Sequence, residues 1–190
     1  MLSLDAKLRT KLWRQVVESI ESYSSEVGDM DVAPEVTAGE VSNLLRPFDF
    51  ARPLDPTAAV DFAVDVMRRY HVHNAHPRYF GLFVPAPTTM GIAADALAAA
   101  FNPALGAWSL SPVAVEIEHH LVRAFGDQFG YEPSGCDGVF TTGGSEANHT
   151  ALLTALVSKF QNFNRGGLRS VDAQPVLYAS SESHHSIHKA

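Results

Sequence analysis

Two short stretches carry residues that could do chemistry. The first is Phe140-Thr-Thr-Gly-Gly-Ser-Glu-Ala-Asn148. Gly143 and Gly144 allow the backbone to turn sharply and to approach a ligand closely. A strand is predicted just before them, over residues 138–142, and a helix just after, from Ser145 to about Phe163. The start of that helix would offer free N–H groups and the positive end of its dipole, which suits a phosphate. Ser145 adds a hydroxyl at the same point. A tight turn followed by a Ser-capped helix reads equally well from spacing. The stretch is neither a Gly-Lys-Ser/Thr phosphate loop nor G-x-G-x-x-G. The second stretch is Ser180-Ser-Glu-Ser-His-His-Ser-Ile-His-Lys189. It follows a second predicted strand, residues 175–180, and so belongs at the same sheet edge, where open α/β sheets bind ligands. A histidine there could stack flat on an aromatic ring or handle a proton. His185 and His188 read more simply as the start of a polar helix.

The chain has nine histidines. His71, His73 and His76, with His184, His185 and His188, could be metal ligands. Zinc sites, however, recruit Cys or carboxylates at defined spacing and orient their rings by further hydrogen bonds, and nothing in the sequence enforces that. No metal is expected. His119, His120 and His149 fall on predicted helix surfaces. Cys136 is the one cysteine, so no disulfide can form within the chain and nothing points to an oxidising compartment. The net charge is −7, which argues against nucleic acid as a partner, because an acidic surface repels phosphates. No signal-peptide pattern and no apolar run near 18 residues is present, so neither export nor a membrane partner is expected and a cytoplasmic location is.

The elements that must position these residues follow from periodicity. Leu8, Leu12, Val16 and Ile20 recur every fourth residue and predict a helix over 4–23, widened by Trp13, Val17 and Tyr23. Residues 24–56 carry Pro34, Pro47, Pro53 and Pro56 and read as an extended arm. A helix after Pro56 shows Val60, Val64 and Met67 on one face. Residues 71–88 are a proline- and aromatic-rich connection. An Ala-rich helix spans about Thr89 to Phe101. Ser111-Pro112 starts another, running to about Phe129 with Val113, Ile117, Leu121 and Phe125 toward the core. Strand, helix, strand, helix then indicates a parallel α/β sheet. Two regions are expected: an N-terminal helical arm with a proline-rich segment (1–88), and an α/β domain (89–190).

From about residue 12 to the end, the sequence resembles the pyridoxal-phosphate decarboxylases of the aromatic-amino-acid and glutamate decarboxylase group. The residues carrying this are His76-Pro-Arg-Tyr-Phe-Gly81, Ser111-Pro112 with Glu116 and Glu118, Thr142-Gly-Gly-Ser-Glu-Ala-Asn148, and Tyr178 to His184. The resemblance implies a fold-type-I α/β enzyme, only partly represented, with pyridoxal 5'-phosphate as cofactor and an amino acid as substrate. It implies that Gly144 and Ser145 hold the cofactor phosphate. His184 would stack on the pyridine ring near the carboxylate that is lost. Phe83, Val84, Pro85 and Ala86 would line the substrate pocket. Ala86 stands where relatives with aromatic substrates often carry a hydroxyl residue, so the amino acid stays open.

The family also needs a Schiff-base lysine and an acid paired with the pyridine nitrogen. Both are expected beyond residue 190. Lys7, Lys11, Lys159 and Lys189 are the only lysines, and Lys189 reads as a solvated helix residue five positions after His184. The chain therefore reads as the front half of a decarboxylase, completed by a C-terminal half from the same precursor or a second chain, and homodimeric when whole. The alternatives are another reaction on the same fold, namely a carbon–carbon lyase or an aldehyde-forming synthase, or a catalytically inert or metal-binding module.

Overall fold

A computed structural model of the chain describes residues 3–49, 51–132 and 134–189. Its contacts group into two compact units, Met1–Ala99 and Ala100–Ala190. Helices dominate both.

In the first unit α1 spans Ala6–Glu26, capped by Asp5, whose carboxylate accepts from the Leu8 N–H. A 3-10 turn, Val27–Asp29, follows. Residues 24–56 were expected to be an extended arm, yet α2 forms there over Ala38–Leu45. Its cause is a local pair: Thr37 accepts from the Glu40 N–H while the Glu40 carboxylate accepts from the Thr37 N–H. This reciprocal cap satisfies two otherwise orphaned donors and starts a helix that apolar periodicity does not announce. The third helix, α3, spans Pro56–Tyr70 with Pro at its start. Asp55 caps it, accepting from the N–H groups of Thr57 and Ala58.

Helices α1 and α3 lie side by side and run in the same direction. Gln15 donates to the Thr57 carbonyl at 3.0 Å and to the Asp61 carboxylate at 2.6 Å. Further along the same pair, Glu26 meets Arg68, which also donates to Ser22. Leu8, Leu12, Val16 and Ile20 are half-buried along this seam, as their spacing requires, whereas Trp13 and Val17 stay exposed. Val60 and Val64 are half-buried opposite them, but Met67 is exposed. The Ala-rich α4 covers Thr89–Phe101.

In the second unit α5 spans Pro112–Gln128, α6 Gly144–Lys159, α7 Phe163–Gly166 and α8 His185–Lys189. Ser111 holds the cap position of α5, but its hydroxyl makes no capping bond. The expected helix from Ser145 to Phe163 is broken at Phe160, so α6 and α7 are separate.

Two expectations are corrected here. Residues 138–142 and 175–180 form no strand, and no sheet is present among the described residues. A strand exists only through ladder bonds to a second strand, and neither segment meets one; Val139, Phe140, Val176, Leu177 and Tyr178 all stay exposed. Likewise, Val113, Ile117, Leu121 and Phe125 of α5 are exposed rather than facing a core. The buried positions of that helix are Val115 and Gly126. Among the described residues no helix is long and apolar enough to cross a membrane.

Candidate functional site

The first candidate stretch is placed by α5. Residues 136–140 run along that helix in the opposite direction, two residues for every four of α5. A Cβ on the buried Gly126 would overlap the Cys136 thiol. At Gly138 a Cβ would sit 3.1 Å from Val122. Phe140 donates its N–H to the Glu118 carboxylate at 3.1 Å. The pairing works because two residues of extended chain advance about 6.6 Å and four of helix about 6 Å. Phe140 also meets Phe125 edge-on, with ring centroids 6.1 Å apart. Glycine at 126 admits the Cys136 thiol this closely, a Cβ at 138 would crowd Val122, and Glu118 replaces one ladder bond that a neighbouring strand would supply.

This track delivers the chain to the start of α6. Gly143 is fully extended, with φ 173° and ψ 169°, and Gly144 already lies in the helix. Neither needs a left-handed conformation, and the chain bends at Thr142 and Gly143 as it enters the helix, where a sharp turn was expected. The two glycines also provide bareness: a Cβ at either would meet nothing within 4 Å. No side chain caps this helix. The N–H groups of Gly144, Ser145 and Glu146 and the Ser145 hydroxyl make no hydrogen bond among the described residues.

Glu146, in the first turn, does not fold onto those groups. Its carboxylate accepts from the Thr142 hydroxyl at 2.6 Å and the Thr142 N–H at 2.9 Å. These bonds, the hydroxyl first, hold its carboxyl below the ordinary glutamate range despite a small opposing desolvation. The result is an open cluster of donors at a helix start, a surface suited to a phosphate dianion.

The second candidate residue, His184, immediately precedes α8 and is joined to α6 by hydrogen bonds. Asn148 donates to the Ser186 hydroxyl at 2.7 Å, and that hydroxyl lies 2.8 Å from His184 Nδ1. The Ser186 N–H also points at Nδ1, at 3.3 Å. The His185 ring lies against that of His184, centroids 4.0 Å apart and tilted by 39°. His184 Nδ1 is thus engaged, and Ser186 is buried. Asn148 and Ser186 fall within the motifs read from the sequence, where neither carries an assigned role. The usable signal was a buried-type polar pair, one on each of two helices, with complementary donors and acceptors.

The remaining site candidates, Phe83, Val84, Pro85 and Ala86, lie in the first unit. They follow a loop built on Tyr79, whose phenol oxygen accepts from the Leu82 N–H at 3.1 Å. A Cβ on Gly81 would sit only 2.6 Å from that oxygen, so glycine is what lets the ring lie beneath the loop. Phe80, Leu82 and Phe83 all point outward and are almost fully exposed.

Histidines 73 and 76 are buried and committed to the protein. His73 Nε2 must donate to the Arg68 carbonyl, so Nδ1 accepts from the Tyr23 hydroxyl at 3.0 Å. His76 Nδ1 accepts from the Arg78 N–H at 2.9 Å, so Nε2 donates to the Gly28 carbonyl. Both rings therefore staple the 71–78 connection onto α1, the 3-10 turn and α3. Among the described residues no three His, Cys, Asp or Glu side chains converge as a metal site.

Residues 45–190 match the pyridoxal-dependent decarboxylase conserved domain. An aromatic-L-amino-acid decarboxylase of Bacillus atrophaeus is 28% identical over the whole chain, which covers 38% of that protein. A tyrosine decarboxylase of Oryza sativa subsp. japonica is 32% identical, again over the whole chain and 36% of the relative. The crystal structure of mouse CSAD superposes with a TM-score of 0.86 at 22% identity, over 98% of this chain and 39% of that one, and shows a shared fold. The chain spans less than two fifths of the length of the curated relatives it matches.

Proposed function

The chain belongs to the pyridoxal-dependent decarboxylase family, and from that premise we propose that it forms the N-terminal part of an enzyme releasing carbon dioxide from an L-amino acid, with pyridoxal 5'-phosphate as cofactor. The observation that carries this reading is the bare start of α6, where three N–H groups and the Ser145 hydroxyl have no partner among the described residues while Glu146 is fastened back on Thr142. In this reading Gly144 and Ser145 hold the phosphate through their N–H groups and the Ser145 hydroxyl. His184 would stack on the cofactor ring near the substrate carboxylate that is lost. Phe83, Val84, Pro85 and Ala86 would be the residues that contact the substrate. When bound, the cofactor supplies an electron sink for the charge left as carbon dioxide departs. The anchoring lysine and the acid paired with the ring nitrogen belong to parts of the enzyme outside residues 1–190. So does the cover for the apolar face of α5, whether from the same chain or a second copy in a homodimer. A cytoplasmic site of action agrees with the free thiol of Cys136.

The test is binding and product analysis on the intact protein. Pyridoxal phosphate should bind more tightly than pyridoxal, and Ser145→Ala should weaken only the phosphorylated form, by about tenfold, the worth of one charge-assisted hydrogen bond. Equal affinity for the two compounds would remove the phosphate role. Carbon dioxide and an amine should form from one member of an amino-acid panel, whereas an aldehyde product would move the enzyme to the synthase reaction.

A further inference from the structure

We propose that Asn148 and Ser186 are positioning residues that fix His184 in a single neutral tautomer, with the proton on Nε2. The inference rests on the functional reading above for its purpose, but on hydrogen-bond polarity for its substance. The Asn148 amide nitrogen is a pure donor and faces the Ser186 hydroxyl oxygen at 2.7 Å, so that oxygen accepts from it. The hydroxyl proton is then directed to His184 Nδ1, 2.8 Å away. The Ser186 backbone N–H points at the same nitrogen from 3.3 Å, a longer contact that favours a bare Nδ1 without fixing it alone. Every link points the same way: Asn148 to Ser186, Ser186 to His184. Ser186 is 3% exposed, so water does not compete for its hydroxyl.

The consequence lies at the other edge of the ring. With Nδ1 saturated, Nε2 carries the hydrogen and remains a donor. A donor is what a histidine needs to hold a carboxylate in one orientation. Asn148 is one turn along α6 from Ser145. One helix therefore carries both the phosphate-binding start and the first link of the chain that orients His184.

The test reads the tautomer directly, with neither cofactor nor substrate present. In the intact protein labelled with ¹⁵N-histidine, at about pH 8.5 and so above the ordinary histidine range, the signals lost in His184→Gln identify the ring. The wild type should show Nδ1 as the bare nitrogen and Nε2 as the protonated one. Asn148→Asp keeps the shape but replaces the donor by an acceptor. Ser186 must then turn its proton toward the introduced carboxylate, and the ring should shift toward the Nδ1–H form. Ser186→Ala should give a mixture of tautomers, and Ser186→Thr should restore the wild-type signals. If Ser186→Ala fails to fold by circular dichroism, Asn148→Asp still decides the matter. A wild-type ring that already averages both forms, or a tautomer unmoved by Asn148→Asp, overturns the proposal. Because this readout involves no pyridoxal phosphate, its failure is distinguishable from failure of the decarboxylase reading. In the loaded enzyme Ser186→Ala should also lower kcat/KM about tenfold, with rescue by Ser186→Thr.

Discussion

At the scale of single residues, the two buried histidines show how donor and acceptor chemistry decides structure. His73 and His76 use both ring nitrogens within the protein, and each tautomer is dictated by a carbonyl that can only accept. Tyr23→Phe should strand the buried Nδ1 of His73 and cost about 1–3 kcal/mol in denaturant unfolding. The pH dependence follows from the tyrosine. Burial, partly offset by Arg68, raises the Tyr23 pKa above its ordinary value near 10. Its contribution is therefore full below that value and falls away as pH rises through the higher folded value. Wild type should lose stability in that alkaline window, and Tyr23→Phe should lose less over the same range. Gly126 makes a packing prediction. Gly126→Ala drives a methyl into the Cys136 thiol and should destabilise by about 1–3 kcal/mol. Cys136→Ala in the same chain should recover part of that loss, and a double-mutant cycle measures the coupling.

At the scale of elements, the helix starts are held by carboxylates. Asp55 caps α3, Glu40 closes the reciprocal cap of α2, and Glu146 ties Thr142 to α6. All three have pKa values lowered chiefly by a side-chain hydroxyl: Thr57 for Asp55, Thr37 for Glu40, Thr142 for Glu146. A lowered carboxylate contributes stability that is complete above its ordinary pKa and lost as pH falls through the folded value. Helical circular dichroism should therefore hold at neutral pH and decline below the ordinary carboxylate range. Asp55→Ala should flatten part of that acid decline while lowering the melting temperature at neutral pH. The helices with strong local signals were legible in the sequence: α1, α3, α4 and α5 lie within a few residues of their predicted limits. The α2 helix was missed because its apolar pattern is short; its Thr37-x-x-Glu40 cap is a local signal that marks the start.

At the scale of the whole molecule, the decisive feature is how little is buried. Val27 and Val115 are the only buried apolar side chains among the described residues, while Phe80, Phe101, Phe129 and Tyr178 lie largely exposed. A stable monomer does not leave so much large apolar surface in water. The 190-residue chain alone should self-associate and bind a hydrophobic dye in sedimentation and fluorescence experiments. A monodisperse, dye-free monomer would remove the proposal that further polypeptide covers α5. Read alone, the sequence determined the long helices, the glycine-marked start of α6 and the family motifs, because caps, helical periodicity and bare backbone are local properties. Tertiary structure decided what needs a second segment. It showed that residues 138–142 and 175–180 have no ladder partner among the described residues. It showed that α5 meets residues 136–140 through Glu118, Val122, Phe125 and Gly126, while Val113, Ile117 and Leu121 of its apolar stripe stay exposed. It also joined Asn148 to His184 through Ser186. Hydrogen bonds and burial are relations between distant segments, and periodicity along one of them does not name the other.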